Sequence, residues 1–325
     1  MASEGNSSDI DLSSDISQVP IPRFIRLAIL LVMDIPSSIC TIFILLNIFK
    51  NRLLRESLHN HVIIAILLSI LPTQLIDIPF HIIYLSLDYV WPSNPIFCLF
   101  WLFISVGIFD TTGILMAYAT IERHILIFHD RWLINKKRRI LIHYIPLYSV
   151  IIYSLIFYIY VILFPPCLTN FDYTQPWCSY PCYYDNNILS MYDSIVNVVL
   201  PAFIIVSFSI ALLLRFIIQR RQLNLKNKWK KYRRMIIQIT TMSSLLIIFN
   251  LPLTILMLAH LCGLSSDVGI DFSQYAYFFT YFIPLLMPFI CLQSLPEIYR
   301  KLMKIFLNYW QKIRQQLTAT VTPMM

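Results

Sequence analysis

The sequence predicts an all-α integral membrane protein, a bundle of seven membrane-crossing helices followed by a short amphipathic eighth helix. Three observations carry this expectation. Of 325 residues, 58% are hydrophobic and 13% charged, with only 5 glycines, a balance too apolar for an ordinary soluble domain. Seven long apolar runs follow one another along the chain. Each is long enough to cross a bilayer, where only helices and closed barrels satisfy their own backbone polar groups. Finally, basic residues crowd alternate connections, which gives the bundle a sidedness.

Taken in order, the apolar runs cover residues 24–49, 60–87, 97–128, 141–164, 189–218, 235–261 and 272–292. Residues 1–18 are acidic and serine-rich, without the basic start and short apolar core of a signal peptide, so the first span is expected to serve as the membrane signal. Arg23 and Arg26 precede that span, whereas the other 23 of the 25 basic residues fall at or beyond the opposite ends. The connections at 88–96, 165–190 and 263–271 hold none. The positive-inside rule then puts residues 1–23 outside as an extracellular tail, residues 24–310 in the membrane domain with its membrane-lying helix, and 311–325 in a cytoplasmic tail. Topology accounts for the net charge of +8 without nucleic acid as a partner, and the basic inner face would also attract anionic lipid. The third inner loop, RRQLNLKNKWKKYRR, is the most basic part of that face. Asn6-Ser7-Ser8 is a glycosylation sequon on the outer side.

Polar residues inside the spans mark where function is expected. An ionised aspartate at mid-bilayer costs about 2.5–3.5 kcal/mol on insertion scales, so such groups face the bundle or a wet cavity. In the second span Gln74, Asp77 and His81 are spaced to share one helical face, either as a ligand site or as a hydrogen-bonded cluster holding the bundle together. Asp110 lies about three turns below Cys98 in the third span. Asp193 and Asn197 stand one turn apart above Pro201 in the fifth, near the loop aromatics Trp177, Tyr180, Tyr183 and Tyr184. Belt residues at the membrane surface explain most of those aromatics equally well.

The third span is the organising element. Cys98 opens it and Glu122-Arg123-His124 closes it, the cysteine 25 positions before the arginine. A helix of that length spans about 38 Å, against a hydrocarbon core of ~30 Å, so one residue meets each face. This pattern resembles the rhodopsin-like (class A) G-protein-coupled receptors, whose third helix ends in an acidic-Arg-aromatic motif. The resemblance runs over residues 24–310 through the order of spans, the Cys98–Arg123 interval, and the helix-kinking Pro201, Pro252 and Pro288. The stretch LPEIYRKLMKIFLNYW is similar to the family's membrane-lying eighth helix.

The resemblance implies that Arg123 is restrained by Glu122 at rest and meets a G protein when the inner helix ends part, with His124 in the place of the commoner tyrosine. It also implies a disulfide from Cys98 to the loop bearing Cys167, Cys178 and Cys182. Folding that loop as a hairpin about residues 172–176 sets Cys167 against Cys182 and leaves Cys178 for Cys98; Cys98 joined to Cys182 is the alternative. Several family positions differ. The sodium-binding aspartate falls on Ile70, the amine-binding aspartate on Ser105, the sixth-span tryptophan on Asn250, and Met287-Pro288-Phe289-Ile290-Cys291 replaces the seventh-span polar motif. The fourth span has Tyr148 and Tyr153 near the place of the family's tryptophan.

The function implied is that of a multi-pass plasma-membrane receptor converting an extracellular ligand, a peptide or small molecule, into activation of a cytoplasmic heterotrimeric G protein. Ligand-pocket residues are expected among Asp77, His81, Ser105, Asp110, Asp193, Asn197, Asn250, Tyr277 and Tyr281. The acidic outer face suits a cationic peptide, though topology alone depletes basic residues there. The alternatives are a receptor that binds without coupling and, further off, a channel or transporter. Enzymatic chemistry, a cofactor and a metal are not expected, because the seven histidines are scattered and form no His-x-x-x-His pair.

Overall fold

The computed structural model describes residues 21–128, 135–222, 226–265 and 268–321. The sequon at Asn6 and the side chains of the third inner loop lie outside the described residues. Six helices are continuous and apolar enough to cross a membrane: Arg23–Lys50, Asn60–Leu87, Pro95–Phe128, Lys136–Leu163, Asn187–Arg215 and Asp271–Ser294. A further span, sixth in chain order, is broken into Ile236–Phe249 and Leu251–Leu261, bent by 49° at Asn250. Pro252 causes the break: it offers no N–H to the Ile248 carbonyl and its ring crowds that oxygen. Large apolar side chains such as Val32, Ile39 and Phe203 stand more than 60% exposed on the outer faces of the spans. A lipid surround, unlike water, makes that favourable.

The third span is central, packing against the second, fourth, fifth and sixth, while the first lies against the second and seventh. Gly107 lets the third and fourth come together, since a Cβ there would meet the Tyr158 Cβ at 2.8 Å. Asparagine begins several helices. Asn94 accepts from the Ile96 N–H at 3.0 Å, Asn135 from Lys137 at 3.1 Å and Asn186 from Ile188 at 3.1 Å, each satisfying an orphaned donor of a first turn.

Five stretches are wound as wider π turns: Thr73–Asp77, Phe103–Ile108, Ile140–Tyr144, Ile159–Leu163 and Asp193–Val199. Proline follows three of them two residues later, at Pro79, Pro146 and Pro201. The carbonyl that each ring would strike, four residues back, then falls inside the widened turn, where there is room for it. One extra residue in a turn also rotates everything beyond it. All three residues of the expected face meet the seventh span, Gln74 through the Pro284 carbonyl and Asp77 and His81 through Tyr281, while Gln74 also reaches the first span and Asp77 the third span and the loop between the fourth and fifth.

Gln74 is placed to satisfy a proline kink. Pro288 leaves the Pro284 carbonyl without its helical donor, and Gln74 Nε2 donates to that oxygen at 2.8 Å. The same amide donates to Ser37 Oγ at 2.7 Å, and its oxygen accepts from the Thr41 hydroxyl at 2.8 Å. Ser37 in turn donates to the Leu285 carbonyl at 2.8 Å, so the first, second and seventh spans are joined with no polar group wasted.

The helix after the seventh span runs Pro296–Val321, 26 residues, and is longer than the short helix expected. It continues past residue 310, where a separate tail was expected, because residues 311–321 contain no proline or glycine and several good helix formers. Lys301 Nζ ties it to the first span by donating to Asn47 Oδ1 at 2.7 Å. Ile298 is buried against the bundle, whereas Ile305, Phe306 and Trp310 are exposed.

Candidate functional site

The loop between the fourth and fifth spans caps one end of the bundle. Disulfides join Cys98 to Cys178 and Cys167 to Cys182. Trp177, Cys178 and Ser179 all have left-handed backbone, with φ of 57°, 61° and 86°, an arrangement that costs free energy at each non-glycine residue. The fold holds them there through the Cys98 bridge and through Trp177, which packs against three separate apolar clusters. At the loop's exposed turn, the Thr174 hydroxyl and N–H both donate to Asp172 Oδ1, at 2.6 and 2.9 Å, and hold its carboxyl below the usual range.

Two groups of predicted pocket residues form beneath this cap. The first surrounds Asp77. Its Oδ1 accepts from the Trp101 indole at 2.8 Å and the Trp177 indole at 3.3 Å. His81 stacks on Trp177 at 5.4 Å and 18°, and packs against Tyr281 at 5.1 Å. Tyr277 stands at the exposed margin, its ring 6.5 Å from Trp177. Deeper down, Asp110, Asn197, Pro201 and Asn250 line a small cavity of about 40 Å³ together with Thr73 and Thr112.

Tyr158 of the fourth span joins Asp110 to Asp193. Its hydroxyl lies 3.0 Å from Asp110 Oδ2 and 3.0 Å from Asp193 Oδ1. One hydroxyl proton serves one acceptor, so the phenol cannot donate to both carboxylates at once. Asp193 has further donors: Asn197 Nδ2 at 2.8 Å and the Tyr183 hydroxyl at 2.9 Å. Asn197 accepts from Tyr153 at 2.9 Å, whereas Tyr148 is exposed on the outer face. Ser105 joins neither group, because its hydroxyl turns back to the Leu102 carbonyl at 3.3 Å.

The opposite end of the third span holds Glu122 and Arg123, only 4% and 1% exposed. The ionic contact to Glu122 comes from the fourth span, where His143 Nδ1 lies 2.6 Å from Glu122 Oε1. His143 Nε2 is 3.0 Å from His61 Nδ1, and His61 Nε2 is 2.9 Å from the Arg55 carbonyl. The Tyr118 hydroxyl donates to the His143 carbonyl at 2.8 Å. His124 points elsewhere, its ring 4.9 Å from Phe128 and 5.8 Å from Phe208.

Tyr158, Trp101, His61 and His143 are therefore central residues that sequence reasoning missed. A depth signal existed for the histidines: His61 opens the second span and His143 the fourth, each beside a basic connection and level with Glu122.

A seven-span bundle with a disulfide-tied cap at one end, and a buried arginine beside a carboxylate at the other, has the build of a membrane receptor. A family model described as 7 transmembrane receptor (rhodopsin family) matches residues 41–291, more than half of the chain, and the protein belongs to that family. A comparison with curated protein sequences finds no match.

Proposed function

We propose that this rhodopsin-family receptor lies in the plasma membrane with its disulfide-tied cap outside, and passes the arrival of an extracellular ligand to a cytoplasmic heterotrimeric G protein. The observation that carries the reading is Arg123, 1% exposed at the end of the third span remote from the Cys98 bridge, with the acidic Glu122 beside it in sequence. A guanidinium held that deeply stays out of a partner's reach until the inner helix ends part. Ligand binding favours the parted state by no more than its difference in affinity for the two states. The cavity lined by Asp110, Asn197 and Asn250 is the ligand-facing site in this reading, and the break at Asn250 is the hinge between it and the inner end. The basic inner loops, the sequon at Asn6 and the exposed apolar side of the last helix agree with this orientation.

The test is nucleotide exchange on a panel of G proteins in membranes carrying the wild-type chain or Arg123→Ala. Exchange above background that falls to background in the variant supports the reading; exchange equal in both removes it. Asn250 and Met287, standing where the family has polar switch residues, favour a second reading, a receptor that binds but does not couple. Exchange at background for every G protein, with the protein folded and at the cell surface, selects that one.

A further inference from the structure

Of the 25 lysines and arginines, only Arg23 and Arg26 belong to the capped end of the bundle. Arg23 is accounted for by its ion pair with Asp88 at 3.0 Å. Arg26 is not. It continues the buried face of the first span, in line with Leu30, Asp34, Ser37 and Thr41 at steps of three and four, so it turns into the bundle and not toward lipid. The side chain is part-buried, and its Nε is buried and meets no acceptor among the described residues. A guanidinium can only donate, and a buried donor without an acceptor carries a desolvation cost that an arginine snorkelling to water avoids.

His81 of the second span is its neighbour, close enough for the Arg26 charge to act on the imidazole. His81 is only 6% exposed, and its Nδ1 also lacks a hydrogen-bond partner among the described residues. Rings surround it: Trp177 of the cap stacks at 5.4 Å and Tyr84 at 6.1 Å, and Tyr281 of the seventh span packs at 5.1 Å. The carboxylates nearby are already engaged, Asp77 by the Trp101 and Trp177 indoles, Asp88 by Arg23, and Asp172 by Thr174. With its proton on Nδ1, a neutral His81 is a second buried donor beside the first.

Taking the capped end as the ligand-facing side, and so resting on the receptor reading, we infer that Arg26 and His81 form a subsite for an organic carboxylate whose apolar body lies against Trp177 and Tyr281. One carboxylate oxygen accepts from the guanidinium and the other from His81 Nδ1, which supplies both missing partners through charge-assisted hydrogen bonds. A cationic group is repelled from the same place, and this sets the subsite apart from the cavity at Asp110. An anionic lipid headgroup offers similar oxygens, so the test separates the two sources.

Benzoate serves as the probe and benzamide as its uncharged match, each titrated through the millimolar range at constant ionic strength against the purified protein in phosphatidylcholine nanodiscs, with melting temperature as the readout. Benzoate should raise the melting temperature and benzamide should not. Arg26→Met keeps the length of the stem and His81→Phe keeps a stacked ring; each should weaken the benzoate midpoint about tenfold or more. Equal shifts from the two probes, no shift from either, or a benzoate response that survives in Arg26→Met overturns the inference. It fails also if benzoate has no effect while phosphatidylglycerol in the nanodisc stabilises the wild type over Arg26→Met, since the oxygens are then those of lipid. A second measurement needs no probe. Without ligand, Arg26→Met should melt at or above the wild-type temperature, because it removes a buried donor that has no acceptor. A lower melting temperature shows that Arg26 has a structural partner and overturns the subsite. Neither readout uses a G protein, so background nucleotide exchange by a protein that binds benzoate counts against coupling alone.

Discussion

The two ends of the bundle solve the same problem differently. Each buries carboxylates beside the fourth span, but Asp110 and Asp193 meet the neutral phenol of Tyr158, whereas Glu122 meets the imidazole of His143. The cap end adds covalent ties, Cys98–Cys178 and Cys167–Cys182; the His143–Glu122 contact at the other end is noncovalent. The difference teaches that a movement of the helices can break the contacts at one end, while covalent ties hold the other.

Breaking covalent ties should give the largest effect. Cys98→Ala opens a link across 80 residues and Cys167→Ala one across 15, so loss of the first should cost more, within about 2–5 kcal/mol, read as the fall in melting temperature. Equal losses would argue that the cap does not anchor the third span. Next come the fixed contacts at Tyr158. Gly107→Ala should cost about 1–3 kcal/mol, because the added methyl must displace the Tyr158 Cβ, only 2.8 Å away. Tyr158→Phe should cost a similar ~1–3 kcal/mol, read as a fall in melting temperature. An unchanged melting temperature there would show that the Tyr158 hydroxyl does not hold Asp110 and Asp193. The smallest effect belongs to the exposed pair of Arg23 and Asp88, 3.0 Å apart with Asp88 74% exposed. Asp88→Asn should change the melting temperature by an amount equivalent to less than ~1 kcal/mol.

The spans, their order and the acidic-Arg motif were legible because apolar runs, basic loops and prolines are local in sequence. The shared face of Gln74, Asp77 and His81 was legible from their spacing, but not its separate partners, because these depend on the π turn at Thr73–Asp77 and on residues distant in sequence. The sixth-span proline was legible, but not that its effect would be a 49° break at Asn250. His61 and His143, 82 residues apart, gave no local signal and meet only because both lie at the depth of Glu122. Tyr158 was hidden by the same distance in sequence from Asp110 and Asp193.

The account depends most on the inner ends parting once Arg123 is no longer held. Spin labels at Leu53→Cys and Ile237→Cys, two exposed positions on the first inner loop and the sixth span, report that separation in nanodiscs when the exposed Cys262 is replaced. Glu122→Gln, which removes the buried carboxylate charge next to Arg123 in sequence, should add a longer-distance population absent from the same labelled protein with Glu122 intact. A distance distribution identical in the two proteins would contradict it.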